Sequence, residues 1–426
     1  MSATLPGSTS FDPAFLTTRE FHLDPYPTYR YLRDNHPLYY NPLTDTWLIT
    51  RYDDVVAGFR DHERLSSRIM ETSHSVVFGP SLTAMDGEEH TQKRNIIAPE
   101  FVGKKLEAFV PVVEENARQL IARFTEKAAK DLIEGFADAG EVDLVDQFST
   151  RLPVNVILDM LGLPKADHDF FHDCYTKFMA GLGPDPVRRK IAVDANAAFH
   201  RYIDPYVKER MVNPGNDLIS KLCTAEVDGQ RLSELDIKAF TSLLLTAGGE
   251  TTDKAIANLW YLLLNDPEQF AEVQRDPSLF DQAFTETMRH SGPVAGEPRL
   301  CTEPIEMYGQ VIPEGAAVTL SMHSANHDDR VFKDPETFNI FRDDLYFGRE
   351  SRIGHKEGGR TSHLGFGLGK HFCVGYQLAR TEAVLGSKLL LEAMKSPRIK
   401  EGQNPVMGEG MAMRSVKRLP IVFDVV

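Results

Sequence analysis

One cysteine constrains this chain more than any other residue. Cys373 stands near the end of the run His363-Leu-Gly-Phe-Gly-Leu-Gly-Lys-His-Phe-Cys-Val-Gly-Tyr376. An apolar-periodic stretch follows at once and predicts a helix from Tyr376 towards Met394. The thiol is therefore presented just ahead of a helix N-terminus, where free backbone N–H groups and the helix dipole favour thiolate over thiol. Gly365, Gly367, Gly369 and Gly375 let the backbone adopt positive φ, approach a flat ligand closely and aim N–H groups at sulfur.

Several kinds of chemistry could use such a turn. A lone cysteine is most often a small buried hydrophobe. A glycine-rich turn before a helix can cradle phosphate, but Lys370 is followed by His371 rather than Ser or Thr, so the P-loop spacing fails. A structural zinc site needs four ligands, and the chain has no Cys-x-x-Cys pair. A single soft thiolate suits one axial bond to haem iron, and this fits the stretch best. A redox-active or nucleophilic thiol stays open on chemistry alone.

The residues Phe366-Gly-Leu-Gly-Lys-His-Phe-Cys-Val-Gly375 closely resemble the haem-thiolate signature of the cytochrome P450 monooxygenases, and Ala379 matches as well. The resemblance implies that Cys373 is the proximal iron ligand of a haem b. It implies that Phe366 and Gly367 lie against the sulfur and that His371 faces a haem propionate. The implied fold is mainly α with a smaller β-rich lobe, a single triangular domain over residues 1–426. Its β-rich part comes from approximately 20–60, 294–325 and 400–426, and its helical part from approximately 85–292 and 374–394.

Composition agrees with a protein of this kind. The 426 residues, 42% of them hydrophobic, suffice for a large core or two lobes. A net charge of −15 makes nucleic acid an unsuitable partner. The four cysteines, Cys174, Cys223, Cys301 and Cys373, are widely spaced and read as reduced thiols of a cytoplasmic protein. Met1 to Asp12 is small and polar, and no apolar run approaches ~20 residues, so neither a secretory leader nor a membrane anchor is expected. No linker or repeat sets off a reductase domain. Electrons are therefore expected from separate ferredoxin and ferredoxin reductase partners.

In chain order, a helix is predicted over Pro25–Asp34 and a hairpin over Leu38–Asn41 and Thr46–Thr50. A short helix follows over Tyr52–Asp61. Ser66 to Asp86 reads as a long loop with scattered hydrophobes, and the family resemblance makes it a substrate lid carrying Val76 and Phe78. His90 and Arg94 are i and i+4 on the next helix and share a face. Two such cations are ordinarily a solvated face, but the family's matching His-x-x-x-Arg meets haem propionates. Further helices are predicted over Lys104–Phe136 and Asp167–Leu182, with a strand-to-helix passage over Val142–Leu163.

Ser233-Glu-Leu-Asp236 begins a long helix that runs to about Leu264. In its middle lies Leu243-Leu-Leu-Thr-Ala-Gly-Gly-Glu-Thr-Thr252. Two mid-helix glycines cost roughly 1 kcal/mol each against alanine, so either close helix packing or a ligand at Ala247 and Gly248 should justify them. Thr251 can bond back to the Ala247 carbonyl and distort the helix there. The stretch resembles the family's oxygen-activation motif. That resemblance implies that Thr251 holds oxygen and a water, and that Glu250 relays protons. Glu replaces the Asp of several members, which alters the relay's length. Leu243, Thr246 and Val294 complete the expected pocket wall.

Glu286 and Arg289 match the family's buried Glu-x-x-Arg pair, and Arg299 its propionate-binding arginine. Met307–Ile312 and Ala317–Ser321 are predicted as strands. Thr337 departs from the basic residue of some members, so Arg342 is expected to take its structural role. Residues 343–362 form a basic-rich insertion on the cysteine side, and Val406–Met413 a hairpin tip. The implied activity is oxygen-dependent hydroxylation or epoxidation of a mainly hydrophobic small molecule, on a polyketide- or macrolide-like pathway. A peroxide-driven peroxygenase and a non-catalytic haem- or small-molecule-binding protein are the alternatives.

Overall fold

A computed structural model describes residues 11–134, 139–408 and 413–425. The helix Glu234–Leu264 runs through its centre. Ser233 starts it: its hydroxyl accepts the Asp236 N–H at 3.1 Å, and the Asp236 carboxylate accepts the Ser233 N–H at 3.3 Å. That reciprocal cap satisfies two otherwise orphaned donors. Ile237, Phe240, Ile256 and Trp260 are almost fully buried, as expected of a helix enclosed by its neighbours. Helices Arg151–Leu161, His168–Gly181, Pro186–Val212 and Phe280–Ser291 pack against it.

The larger sheet has the order Leu38–Asn41, Thr46–Ile49, Ala317–Leu320, Glu297–Cys301, Leu65–Ser66. Thr46–Ile49 runs parallel to Ala317–Leu320, and the other pairings are antiparallel. Register sets Arg299 opposite Val318 and Glu297 opposite Leu320, so both charged side chains leave the same face of the strand. A second sheet joins Met394–Ile399, Pro420–Val425 and Gly140–Asp143. The mainly helical fold with a small β region agrees with the sequence expectation.

Two local readings are corrected. Residues 66–86 are not a single loop. They form short helices at Ser67–Thr72, His74–Phe78 and Leu82–Ala84. Ser66 caps the first by accepting the Arg68 N–H at 3.1 Å, and Asp86 accepts the Ser67 N–H at 3.1 Å. Met70, Val77, Phe78 and Leu82 are buried there. Met307–Ile312 is likewise two strands, Ile305–Met307 and Gln310–Ile312, folded back at Tyr308 (φ 54°) and Gly309 (φ 71°). The expected tip at Val406–Met413 is a strand pair, Val406–Met407 with Val416–Arg418. Its residues 409–412 lie outside the described ones.

The Glu286–Arg289 pair is fully buried and joined by two hydrogen bonds of 2.7 Å. Arg289 also donates to the carbonyls of Asn326 and Pro335. Arg342 is buried beside the pair, bonds Asp344 at 2.9 Å and reaches the Thr337 carbonyl. It thus occupies the place that the Thr337 departure left open.

Candidate active site

The glycine turn and the central helix face each other across one cavity. Cys373, Phe366, Gly367 and Gly375 line it from one side, and Leu243, Leu244, Ala247, Gly248 and Thr251 from the other. Gly367 (φ 68°) and Gly369 (φ 74°) are in the left-handed region. A Cβ on Gly369 would stand 2.6 Å from the Phe59 carbonyl oxygen, so only glycine lets the turn lie this close to its neighbour. The Cys373 N–H donates to the Phe366 carbonyl at 3.0 Å, which fixes the cysteine ahead of helix Tyr376–Ala393. Burial pushes the thiol up, while the Gly375 N–H and the Arg94 guanidinium act in the opposite direction.

Basic side chains gather along the same cavity: His90, Arg94, Arg299 and His371. The His90 and His371 rings lie tilted against each other with centres 4.0 Å apart, and His371 is 3.3 Å from Asp86. Burial, together with the nearby His371 and Arg94, pulls His90 down to about 3. Arg94 donates to the Phe372 carbonyl beside the cysteine. Arg299 lies over the Phe59 ring at 5.6 Å and is 3.7 Å from Glu297. One thiol, two guanidinium groups, two imidazoles and apolar walls in a single cavity suit a flat, dianionic haem: the sulfur would meet the iron and the guanidinium groups the carboxylates.

The central helix answers the question posed by its glycines. Gly248 lines the cavity, and a Cβ there would meet Ile157 first, at 3.4 Å. Gly249 is buried, and a Cβ there would approach Val154, on the same helix as Ile157, at 3.3 Å and Tyr175 at 3.6 Å. Both glycines thus let helix Arg151–Leu161 pack close, and Gly248 also lines the cavity. Thr251 donates to the Ala247 carbonyl at 2.9 Å, the back-bond anticipated from their spacing.

Glu250 is placed differently from its neighbour. It is not among the cavity's lining residues. Its Oε1 is 2.6 Å from Lys254 Nζ, and its buried Oε2 has no hydrogen-bond partner among the described residues. Lys254 was not singled out from sequence, although its i+4 spacing from a glutamate was a usable signal.

Of the expected pocket wall, Leu243 and Val294 line the cavity. Thr246 is buried and donates to the Ser242 carbonyl at 2.8 Å. Val76 is 48% exposed, and Phe78 packs edge-on against Phe178 at 5.7 Å. None of these three lines the cavity. Their places are taken by Met70, Leu82, Thr83, Ile157 and Leu244.

This arrangement defines a haem-thiolate protein, and the comparisons agree. Residues 176–419 match the family model described as Cytochrome P450. The chain is 34% identical to pulcherriminic acid synthase of Bacillus subtilis (strain 168), covering 95% of this chain and 96% of that one. It is 33% identical to cyclomarin C epoxidase CymV of Salinispora arenicola, over 83% and 84%. The solved structure of the Bacillus subtilis bacillaene polyketide synthase cytochrome P450 PksS superposes with a TM-score of 0.82 at 27% identity, over 97% of this chain and 100% of that one. The chain belongs to the cytochrome P450 family. It is a haem-thiolate monooxygenase that takes electrons from redox partners, and none of its described helices is long and apolar enough to cross a membrane.

Proposed function

We propose that this monooxygenase hydroxylates or epoxidises a mainly apolar small molecule in the biosynthesis of a secondary metabolite, with residues 1–426 as one catalytic domain. One observation carries the reading: the Cys373 thiol and the Thr251–Ala247 back-bond of the central helix face each other across an apolar cavity. The relatives support the substrate class, since pulcherriminic acid synthase, an epoxidase of cyclomarin C and a polyketide-synthase P450 are among them. The cofactor proposed is haem b, held without covalent attachment, because none of Cys174, Cys223 and Cys301 lines the cavity. The protein is proposed to be cytoplasmic, with electrons passing from NAD(P)H through ferredoxin reductase and ferredoxin.

Bound in this cavity, haem supplies activation of dioxygen, one atom entering the substrate and the other leaving as water. The chain's own residues do the rest. Cys373 would hold the iron through its sulfur, and electron donation from that thiolate would support the oxygen chemistry the haem supplies. Arg94 and Arg299, with His90 and His371, orient the cofactor's carboxylates. Leu243, Leu244, Val294, Met70 and Leu82 hold the substrate's apolar body and keep bulk water out. The Thr251 hydroxyl, anchored on Ala247, positions oxygen and one water. Glu250 brings protons to that hydroxyl, and to do so its carboxylate must first leave Lys254.

Substitution of Thr251 by alanine tests this. Oxygen-driven product formation should fall on the order of 10²-fold, with consumed oxygen appearing as peroxide. Turnover driven by added peroxide should be spared. Coupled, oxygen-driven turnover at the wild-type rate would refute the role given to Thr251. Turnover of the wild-type protein with peroxide but not with oxygen and reduced ferredoxin would make the protein a peroxygenase.

A further inference from the structure

The insertion at residues 343–362 carries an acid into the interior. Glu350 is only 7% exposed, although most residues from Arg352 to Arg360 lie at the surface. Its Oε1 accepts from Arg380 at 2.7 Å, and Arg380 lies on helix Tyr376–Ala393, directly after the cysteine turn. The same oxygen is 3.6 Å from Nε2 of His363, which is buried as well. His363 stands at the start of the cysteine turn, and its Nδ1 accepts the Gly365 N–H at 3.0 Å. A ring nitrogen that accepts carries no proton, so the hydrogen of the neutral imidazole sits on Nε2, the atom nearer Glu350. Neither His363 Nε2 nor Glu350 Oε2 has a hydrogen-bond partner among the described residues. A buried carboxylate and a buried imidazole are thus left to each other.

From His363 the route to the sulfur is short. The His363 ring lies 5.8 Å from the Phe366 ring, and the Phe366 carbonyl accepts the Cys373 N–H at 3.0 Å. Gly365 and Phe366 line the cavity together with Cys373. The insertion holds the same turn at a second point, where the Arg352 carbonyl accepts the Gly369 N–H at 2.8 Å. Burial pushes the Glu350 carboxyl up, but His363 and Arg380 outweigh it and hold the group below its usual range. Glu350 is therefore a fixed negative charge at neutral pH. A charge in so dry a place is felt more strongly than one in water, and burying it is costly. An insertion that only filled solvent would carry no such charge inward.

We propose that Glu350 is a positioning residue of the haem-thiolate site: through His363 it holds the cysteine turn, and its charge lowers the reduction potential of iron bound by Cys373. A nearby negative charge favours the ferric state over the ferrous, which carries one positive charge fewer. Partners behind a metal ligand set both its orientation and the metal's potential. Arg380 tempers this charge without cancelling it, because Arg380 is shared with Asp281 at 3.0 Å. The inference rests on the reading of Cys373 as the iron ligand, and it gives the insertion a role in tuning that ligand.

The test is a mediated redox titration of the haem-loaded full chain at mildly alkaline pH, with neither substrate nor donor protein present. Glu350→Gln keeps the shape of the side chain and an acceptor for Arg380 but removes the charge. Its potential should rise, so that the ferrous-to-ferric ratio at a fixed applied potential increases about three- to tenfold. Glu350→Asp keeps the charge and should stay close to wild type. Arg380→Met removes the opposing charge and should shift the potential the other way. Each variant should keep the red-shifted band of its carbon monoxide spectrum. A wild-type potential in Glu350→Gln with that band intact would overturn the proposal. Shifts of the same sign in Glu350→Gln and Arg380→Met would make the group a brace alone and overturn the role of its charge. If Glu350→Gln fails to hold haem, an unchanged potential in Arg380→Met would likewise overturn it. A wild-type protein without the red-shifted band would instead overturn the reading of Cys373.

Discussion

Glu250 and Lys254 form an ion pair of 2.6 Å on the central helix, with both side chains largely withdrawn from solvent. Asp253 is close by, held by Ser149 at 2.7 Å and 3.9 Å from Lys254. Burial pushes Asp253 up from the usual carboxylate range. The lysine therefore serves two acids at once and keeps the proposed proton carrier on the side of the helix away from the cavity.

Replacing Lys254 by methionine should be costly. It leaves the Glu250 carboxylate buried without its counter-charge, a loss of about 3–5 kcal/mol in comparable pairs. Denaturant unfolding should show this, and the double variant Glu250→Gln/Lys254→Met should recover a large part of it. Equal stability of wild type and Lys254→Met would mean that the pair holds nothing together.

The two central glycines should respond in opposite ways. Gly248→Ala gains up to about 1 kcal/mol of helix propensity, and its methyl meets Ile157 first, at 3.4 Å. Stability of the protein without cofactor should rise, and because Gly248 and Ile157 both line the cavity, ligand binding should weaken. Gly249→Ala presses on Val154 at 3.3 Å, so its propensity gain should be offset by crowding. Thermal unfolding and ligand titration of both variants separate the two effects.

Acid should unfold the protein through a buried histidine group. Tyr26 stacks on His327 at 3.8 Å, and His290 lies 5.2 Å from His327. Burial, set against a hydrogen bond to the Gly292 carbonyl, pulls His323 down to about 4. Burial, then the Arg289 charge, pulls His290 down to about 3, and the same two causes lower His327 well below its ordinary value. These rings stay neutral in the fold but take up protons near pH 6.5 once unfolded. Stability is therefore full above pH 6.5 and falls as pH drops towards the folded values. His323 alone should cost about 2 kcal/mol at pH 5. Denaturant midpoints between pH 8 and pH 5 measure this, and His323→Gln should flatten the slope. A midpoint independent of pH over that range would contradict it.

The signatures legible in sequence are those where local spacing dictates contact. The Thr251–Ala247 back-bond, the Glu286–Arg289 pair and the Ser233 cap each lie within one or two helical turns, and all three appear as expected. The pocket wall from residues 66–86 was not legible. Its side-chain directions depend on three short helices, and those are fixed by Asp86, twenty residues away from Ser66. Taken as a loop, the segment offers Val76 and Phe78 to the cavity. Folded as helices, it offers Met70, Leu82 and Thr83. The orientation of Glu250 was missed for a related reason: the motif names the residue, but its i+4 neighbour decides where the carboxylate points.

The most direct test of the account is the absorbance of the reduced, carbon monoxide-treated haem protein, compared between wild type and Cys373→His at equal haem content. The account predicts a strongly red-shifted band in wild type, the mark of a thiolate opposite the carbon monoxide, and its loss in the variant. A wild-type band without the red shift, or a red-shifted band that survives in Cys373→His, would show that Cys373 does not ligate the iron.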